Sequence, residues 1–362
     1  MSSAQTQTQE RGFSKPMQAV EVIAMEMVTP IGIDAIQTAA SVGAGISAYQ
    51  ASSSYNKRFN PMTMALVPDE ALPPLEKELG ELELGLTSRQ QRMLRLATLP
   101  IQYLSESCPL SQPVPLLLAG PEKFPGRRSI VSDKFLKQLQ VQTQQVFDLD
   151  NSYVFPHGRS GGFYVIEAAM LMLEQGICQH VMVGAVDSYL DLQLLGTLDA
   201  DERILAEGVM DGFAPGEGAA FLILTLANEN SQIKLLPPGV ANEAGHRYSK
   251  EPYKGDGLAA AVTDALAPLA GQKVATVLAG FNGENFNAKE WGVSYIRNSQ
   301  SIDPEFDIVH PADCLGDAGA ALGLILAQLG IIGLQQDTYQ GPILAWCSSE
   351  LAQRTAMCIT KG

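Results

Sequence analysis

The chain has 362 residues, 46% hydrophobic and 17% charged, with 33 glycines and a formal net charge of −15. This profile excludes a disordered chain, and the length is enough for a large core in one unit or two. The acidic balance, with no Lys/Arg cluster standing out to reverse it, argues against nucleic acid and anionic membrane surfaces as partners.

The opening segment, Met1 to Met17, is rich in Ser, Gln and Thr and has no apolar core, so it reads as a flexible leader and not as a secretory signal. Ala19 to Val28 is predicted as a buried strand, broken by Thr29-Pro30-Ile31-Gly32 before a helix over Asp34 to Ala44. From Ser52 to Thr87 the Pro-rich, irregular pattern suggests a surface excursion. A helix over Ser88 to Leu104 and an apolar strand over Val114 to Ala119 follow.

Phe163 to Glu174 is apolar all round except for Glu167 and stops at Gly176, the pattern of a central helix. A strand over His180 to Val186 and a β-rich stretch from Gly212 to Leu226 close the first half. Pro237-Pro238 marks a junction near residue 230, dividing the chain into a leader (1–17), an N-terminal half (18–230) and a C-terminal half (231–362).

The second half restarts with a helix over Gly257 to Leu269 and a strand over Lys273 to Ala279. A Gly/Asn loop, a helix opening at Asp317 and a last strand over Pro342 to Cys347 complete it. The run Ala318 to Leu334 approaches membrane-spanning length. Its Gln328 and its glycines at 319, 323, 330 and 333 make it a buried core helix instead. The two halves share an order of elements, with no repeat visible residue by residue.

Four segments, in chain order, resemble the thiolase and β-ketoacyl synthase superfamily. Val28-Thr29-Pro30-Ile31-Gly32 is similar to the opening turn, and Gly184-Ala185-Val186-Asp187-Ser188 to the strand after the nucleophile helix. Asp211 to Ala220 (DGFAPGEGAA) resembles the "GFxxGEGA" segment, and Leu315 to Ala321 (LGDAGAA) the late "GHxxGAAG" segment. The resemblance implies an α/β protein with the five-layered αβαβα thiolase-like fold, built from two pseudo-symmetric halves, usually as a homodimer.

The same resemblance locates the family's active site and shows its residues replaced. Arg159 stands at the place of the nucleophilic Cys, Asn282 (or Phe281, if the register slips) at the first His, and Asp317 at the second. A guanidinium is no nucleophile, an amide shuttles no proton at neutral pH, and a carboxylate repels a developing oxyanion. Ordinary condensing chemistry is therefore not expected. Arg159 and Asp317 are instead expected to form a buried pair across the former active site.

Other candidates come from local patterns. Gly158-Arg159-Ser160-Gly161-Gly162 fits the GxSxG elbow, making Ser160 a possible nucleophile, although a hydroxyl capping the helix start is the simpler reading. His157 is its near neighbour and a binding candidate. Glu284 could bind a polar ligand, though Glu284 and Glu290 read as a solvated loop without a third metal ligand; His310, beside Cys314, is a further binding candidate. Neither a metal nor a cofactor is called for. Five cysteines (Cys108, Cys178, Cys314, Cys347 and Cys358), scattered and lacking CxxC spacing, suit a reducing cytoplasm.

The functional expectation is a catalytically degenerate thiolase-like protein serving as a binding, scaffold or adaptor component. Its GRSGG, VDSY, NGEN and LGDAGAA segments resemble the thiolase-like proteins that accompany type VI secretion effectors, which implies a secreted effector as partner. The alternatives are an acyltransferase or thioesterase acting on an acyl thioester through Ser160, and a non-catalytic partner of an active ketosynthase.

Overall fold

The computed structural model describes residues 17–81, 85–144 and 146–362. Of the predicted leader, only Met17 falls within them.

Two runs of strands have the same order and the same directions. In the first, β1 (Val20–Val28), β4 (Pro115–Ala119), β5 (Asp148–Phe155), β6 (Val181–Ser188) and β7 (Glu217–Leu226) lie in the spatial order β5-β4-β6-β7-β1. In the second, β9 (Gly239–Asn242), β10 (Val274–Leu278), β11 (Ile302–Val309), β12 (Ile343–Ser348) and β13 (Gln353–Lys361) lie as β11-β10-β12-β13-β9. The first three strands of each spatial order pair in parallel, and the fourth is antiparallel to its neighbours. The short β8 (Ile233–Leu235) also pairs with β13 and joins the runs through the single pairing of Val20 with Leu235.

Strand alternation builds the layers, because successive side chains point to opposite faces. Leu117, Ala119, Val183, Ala185 and Leu222 face inward from the first run, and Leu278, Ile343, Ala345 and Met357 from the second. Between them lie the central helices α4 (Gly161–Glu174) and α8 (Leu322–Gln335). Alternate residues such as Leu116, Leu118 and Phe221 face outward beneath α2 (Ser88–Ser107) and α3 (Asp133–Gln142). On the other side, Leu344, Trp346 and Cys358 face α6 (Asp256–Leu266) and α7 (Asn285–Asn298). The result is an αβαβα stack of five layers.

The outer helices show ordinary stop and start signals. Thr87 caps α2, accepting from the Gln90 amide while the Gln90 side chain accepts from the Thr87 amide, a reciprocal capping box. The central α8 is buried from Leu322 to Leu334, as expected of a core helix. Among the described residues no helix is long and apolar enough to cross a membrane.

Several sequence expectations need correction. The segment after Ser52 is not wholly a surface excursion: β2 (Gln50–Tyr55) and β3 (Pro61–Met64) form a hairpin whose Met62 and Met64 are buried with Tyr189 and Phe213. The strand ending near Cys347 is not the last, because β13 follows it. Asp317 does not open a helix; a 3-10 turn begins at Gly319 and α8 at Leu322. Glu284 and Glu290 are not on a solvated loop. Glu284 immediately precedes α7 and Glu290 lies within it, and both are buried, the first by two arginines and the second by Arg354.

Candidate functional site

Both central helices begin in the same way. A glycine with positive φ, Gly158 (+61°) or Gly319 (+55°), starts a three-residue 3-10 turn that feeds directly into a 14-residue helix. At each of these glycines an L side chain would be strained, and a Cβ would also meet Glu122 at the first and Asp187 at the second. The glycine-rich segment before β7 lies beside the one before α8: the Gly216 amide donates to the Asp317 carbonyl (3.1 Å) and the Asp317 amide to the Ala214 carbonyl (2.9 Å). A Cβ on Gly216 would come within 2.7 Å of the Leu315 carbonyl oxygen. This close backbone approach carries the Asp317 side chain to the start of α4.

There Asp317 meets Arg159. The Arg159 Nε donates to Asp317 Oδ1 (3.0 Å) and Oδ2 (2.9 Å), and Nη2 also contacts Oδ2. The pair is sealed, with side-chain exposures of 4% and 0%. Asn282 Nδ2 adds a donor to Asp317 Oδ2 (3.2 Å), and the Gly319 amide donates to Oδ1 (2.9 Å). Arg159 also reaches Glu350 through Nη1 (2.8 Å) and the Tyr189 hydroxyl through Nη2 (3.2 Å).

The network extends into the second half. Arg203 donates to both oxygens of Glu284 (2.7 Å each) and to both oxygens of Glu350 (3.0 and 2.9 Å). Arg247 approaches Glu284 (3.1 Å) and Glu350 (3.6 Å). Three arginines thus face three carboxylates. Burial opposes the charge on Arg159, but Asp317, Tyr189 and Glu350 outweigh it and hold the guanidinium above its ordinary range. Burial likewise pushes Glu350 up, and Arg159 and Arg203 outweigh it to bring the carboxyl down to about 2.

The turn that carries Glu350 is gripped from both sides. Glu122 accepts the amides of Glu350 (2.9 Å) and Leu351 (3.0 Å), and burial pushes its own carboxyl up to about 7. Arg354 Nη1 donates to the carbonyls of Ser349 (3.0 Å), Leu351 (2.6 Å) and Gln353 (2.9 Å), while its Nε is held by Glu290 (2.6 Å). Two further buried pairs stand behind the site. Asp187 accepts from Arg89 (2.7 Å) and from the Ala320 amide (3.0 Å), while Glu217 accepts from Arg92 (3.1 and 2.6 Å), Ser188 (2.7 Å) and the Val67 amide (2.8 Å). Beside all this opens a cleft of about 1080 Å³, lined by Glu122, Arg159, Tyr189, Arg203, Tyr248 and Glu350 among others.

The structure brings together Arg159, Asn282, Glu284 and Asp317. Phe281, the alternative to Asn282, packs its ring edge-on against Trp346 (5.2 Å). Ser160 is adjacent in sequence but differently engaged. The predicted helix cap is absent: its hydroxyl, wholly buried, lies 3.2 Å from the Cys347 carbonyl and 3.0 Å from that of Gln353, because the 3-10 turn aims it at the second run of strands. No histidine is hydrogen-bonded to it. His157 packs on Tyr164 at 4.6 Å between ring centroids, and burial pushes its pKa down. His310 is 43% exposed and pairs with Asp313 (2.7 Å); no hydrogen bond joins it to Cys314. Tyr189, Arg203, Arg247 and Glu350 escaped sequence reasoning. Tyr189 closes the VDSY segment but was given no role there, whereas the others lie outside every quoted motif.

Chemically, the arrangement neutralises and fills the space at the starts of the two central helices. Arg159 presents no lone pair and Asp317 no proton donor, and the charges are already satisfied.

No family model matches the chain, and neither does any curated protein. Solved structures match over nearly the whole chain. A ketosynthase in complex with its chain length factor from Xenorhabdus doucetiae gives a TM-score of 0.74 at 15% identity, covering 97% of this chain and 100% of that one. The ishigamide ketosynthase/chain length factor gives 0.73 at 14%, covering 96% and 100%. An oxazolomycin ketosynthase domain from Streptomyces albus gives 0.75 at 11%, covering 95% and 75%. At such identities the likeness establishes the fold: this chain has the ketosynthase, or thiolase-like, architecture.

Proposed function

We propose that this chain is a catalytically silent member of the thiolase-like fold that acts in the cytoplasm, as a homodimer, by binding a protein partner. The observation that carries the reading is the sealed Arg159–Asp317 pair, which stands where the resemblance puts the nucleophile and the second histidine. An oxyanion generated there would meet the Asp317 carboxylate, on which the donors beside it, Arg159 and Asn282, are already spent. Ser160, with its hydroxyl spent on backbone carbonyls and without a base, adds nothing to an acyl-transfer alternative. The segments that resemble thiolase-like proteins accompanying type VI secretion effectors make such an effector the partner to test first. Deleting the chain from a strain that delivers a co-encoded effector should lower the effector's soluble level and its delivery. Unchanged delivery would overturn the adaptor role.

A second reading is favoured by the neighbours themselves, two of which are ketosynthases with chain length factors. Under it the chain would be the non-catalytic partner of an active ketosynthase. Native mass spectrometry of the chain co-expressed with a paralogue carrying the Cys-His-His set separates the two: a stable heterodimer supports the second reading, and a strict homodimer the first.

A further inference from the structure

The −15 net charge makes any local excess of arginine noteworthy, and the fold assembles one that the linear sequence conceals. Arg89, at the start of α2, lines the cleft together with Arg127 and Arg128. Its neighbour Gln90 donates to the Ile130 carbonyl (2.8 Å), which fastens the 127–130 segment beside the helix start. Arg89 is only 8% exposed, yet just one of its donors is used: Nη2 binds Asp187 (2.7 Å), and Nε has no partner. Arg127 and Arg128 are exposed, and among the described residues neither forms an ion pair.

The carboxylates of the same cleft are already engaged. Asp187 is taken by Arg89 and two backbone amides, Glu350 by Arg159 and Arg203, Glu122 by the amides of Glu350 (2.9 Å) and Leu351 (3.0 Å), and Asp191 by the Leu194 amide (2.8 Å). The charges of Arg127 and Arg128 are therefore left at this wall without an ion-pair carboxylate among the described residues. The cleft between it and the buried ion network is walled by Phe124 and Tyr248, packed edge to face at 5.5 Å, and by Leu194 and Leu198. A site with cationic donors at one end and an apolar, aromatic body suits a ligand built the same way.

We propose that Arg89, Arg127 and Arg128 form a binding site for the phosphate or carboxylate head of a small organic anion, whose apolar body lies along Phe124, Leu194 and Leu198. The site uses none of the residues that replace the family's catalytic set, so it stands whether or not the silent-protein reading does.

Isothermal titration of the full chain with hexyl phosphate, hexanoate, hexanol and hexylammonium tests it. The two anions should bind saturably, with hexanol and hexylammonium at least tenfold weaker. Arg127→Ala/Arg128→Ala should cut anion affinity at least tenfold. Both side chains are exposed, so the variant should keep its circular dichroism spectrum, and Arg127→Lys/Arg128→Lys should retain most of the affinity. Binding indifferent to head-group charge, no saturable anion binding, or wild-type affinity in the double alanine variant would each overturn the proposal.

Discussion

Gly162 and Gly323 stand at the second position of the two central helices and touch each other. A Cβ on Gly162 would come within 2.8 Å of the Leu324 amide nitrogen and 2.9 Å of Gly323 Cα, and a Cβ on Gly323 within 3.2 Å of Gly162 Cα. The obstructing atoms are backbone and cannot move aside as a side chain does. This contact sets how closely α4 and α8 start, and so whether Arg159 can reach Asp317. We expect Gly162→Ala to destabilise by about 1–3 kcal/mol despite the better helix propensity of alanine, and Gly323→Ala by less. Urea denaturation of the two variants checks the order.

Breaking the central pair from one side leaves a buried charge. Arg159→Ala and Asp317→Ala should each cost about 3–5 kcal/mol, while the apolar replacement Arg159→Met/Asp317→Leu should cost far less than their sum. A double-mutant cycle from denaturation midpoints measures this, and additive losses would show that the pair is not coupled.

Glu122 gives the fold a pH dependence of definite sign. Its carboxyl is raised from 4.5 to about 7, so between these values the folded chain holds a proton that the unfolded chain has released. Stability should therefore fall as pH rises through that window, by at most about 3 kcal/mol, and level off above it. Glu122→Gln should flatten this limb in thermal melts recorded from pH 4.5 to 8. Glu350 has the opposite sign: its contribution is present above 4.5 and is lost only as pH falls toward about 2.

Arg354 holds the Glu350 turn by three carbonyls from a position with no solvent exposure. A lysine cannot span these carbonyls and Glu290 with one planar fork. Arg354→Lys should cost about 3 kcal/mol and speed amide exchange at Leu351. Exchange at Leu351 as slow as in the parent chain would show that Glu122 alone fixes the turn.

The fold was legible because its glycine-rich segments, DGFAPGEGAA and LGDAGAA, mark backbones that pack too closely for side chains, and because α4 and α8 are apolar all round. The repeat between the halves was not legible in the residues. It lies in backbone features, positive φ at Gly158 and Gly319 and a shared strand order, that tolerate Arg159 in one half and Ala320 in the other. Strands β5, β11 and β13 lacked a clear signal: the first two run along sheet edges with polar residues such as Asp150, Asn151, Asp303 and Glu305, and β13 carries a buried arginine. The pair Arg159–Asp317 could be inferred from motif positions. Arg203, Arg247 and Glu350 could not, since long-range charge pairing leaves no local spacing to read. The misplacement of Glu290 has the same origin: an acid compensated by an arginine 64 residues away looks, in sequence, like a solvated one.

A catalytically silent chain carries no covalent acyl chemistry at the start of α4. Intact-protein mass spectrometry after incubation with acyl-CoA thioesters of several chain lengths, with Ser160→Ala alongside, tests this most directly. A silent chain should keep an unmodified mass throughout. An acyl adduct on the parent chain that disappears in Ser160→Ala would contradict it and make Ser160 the nucleophile of an acyl-transfer enzyme.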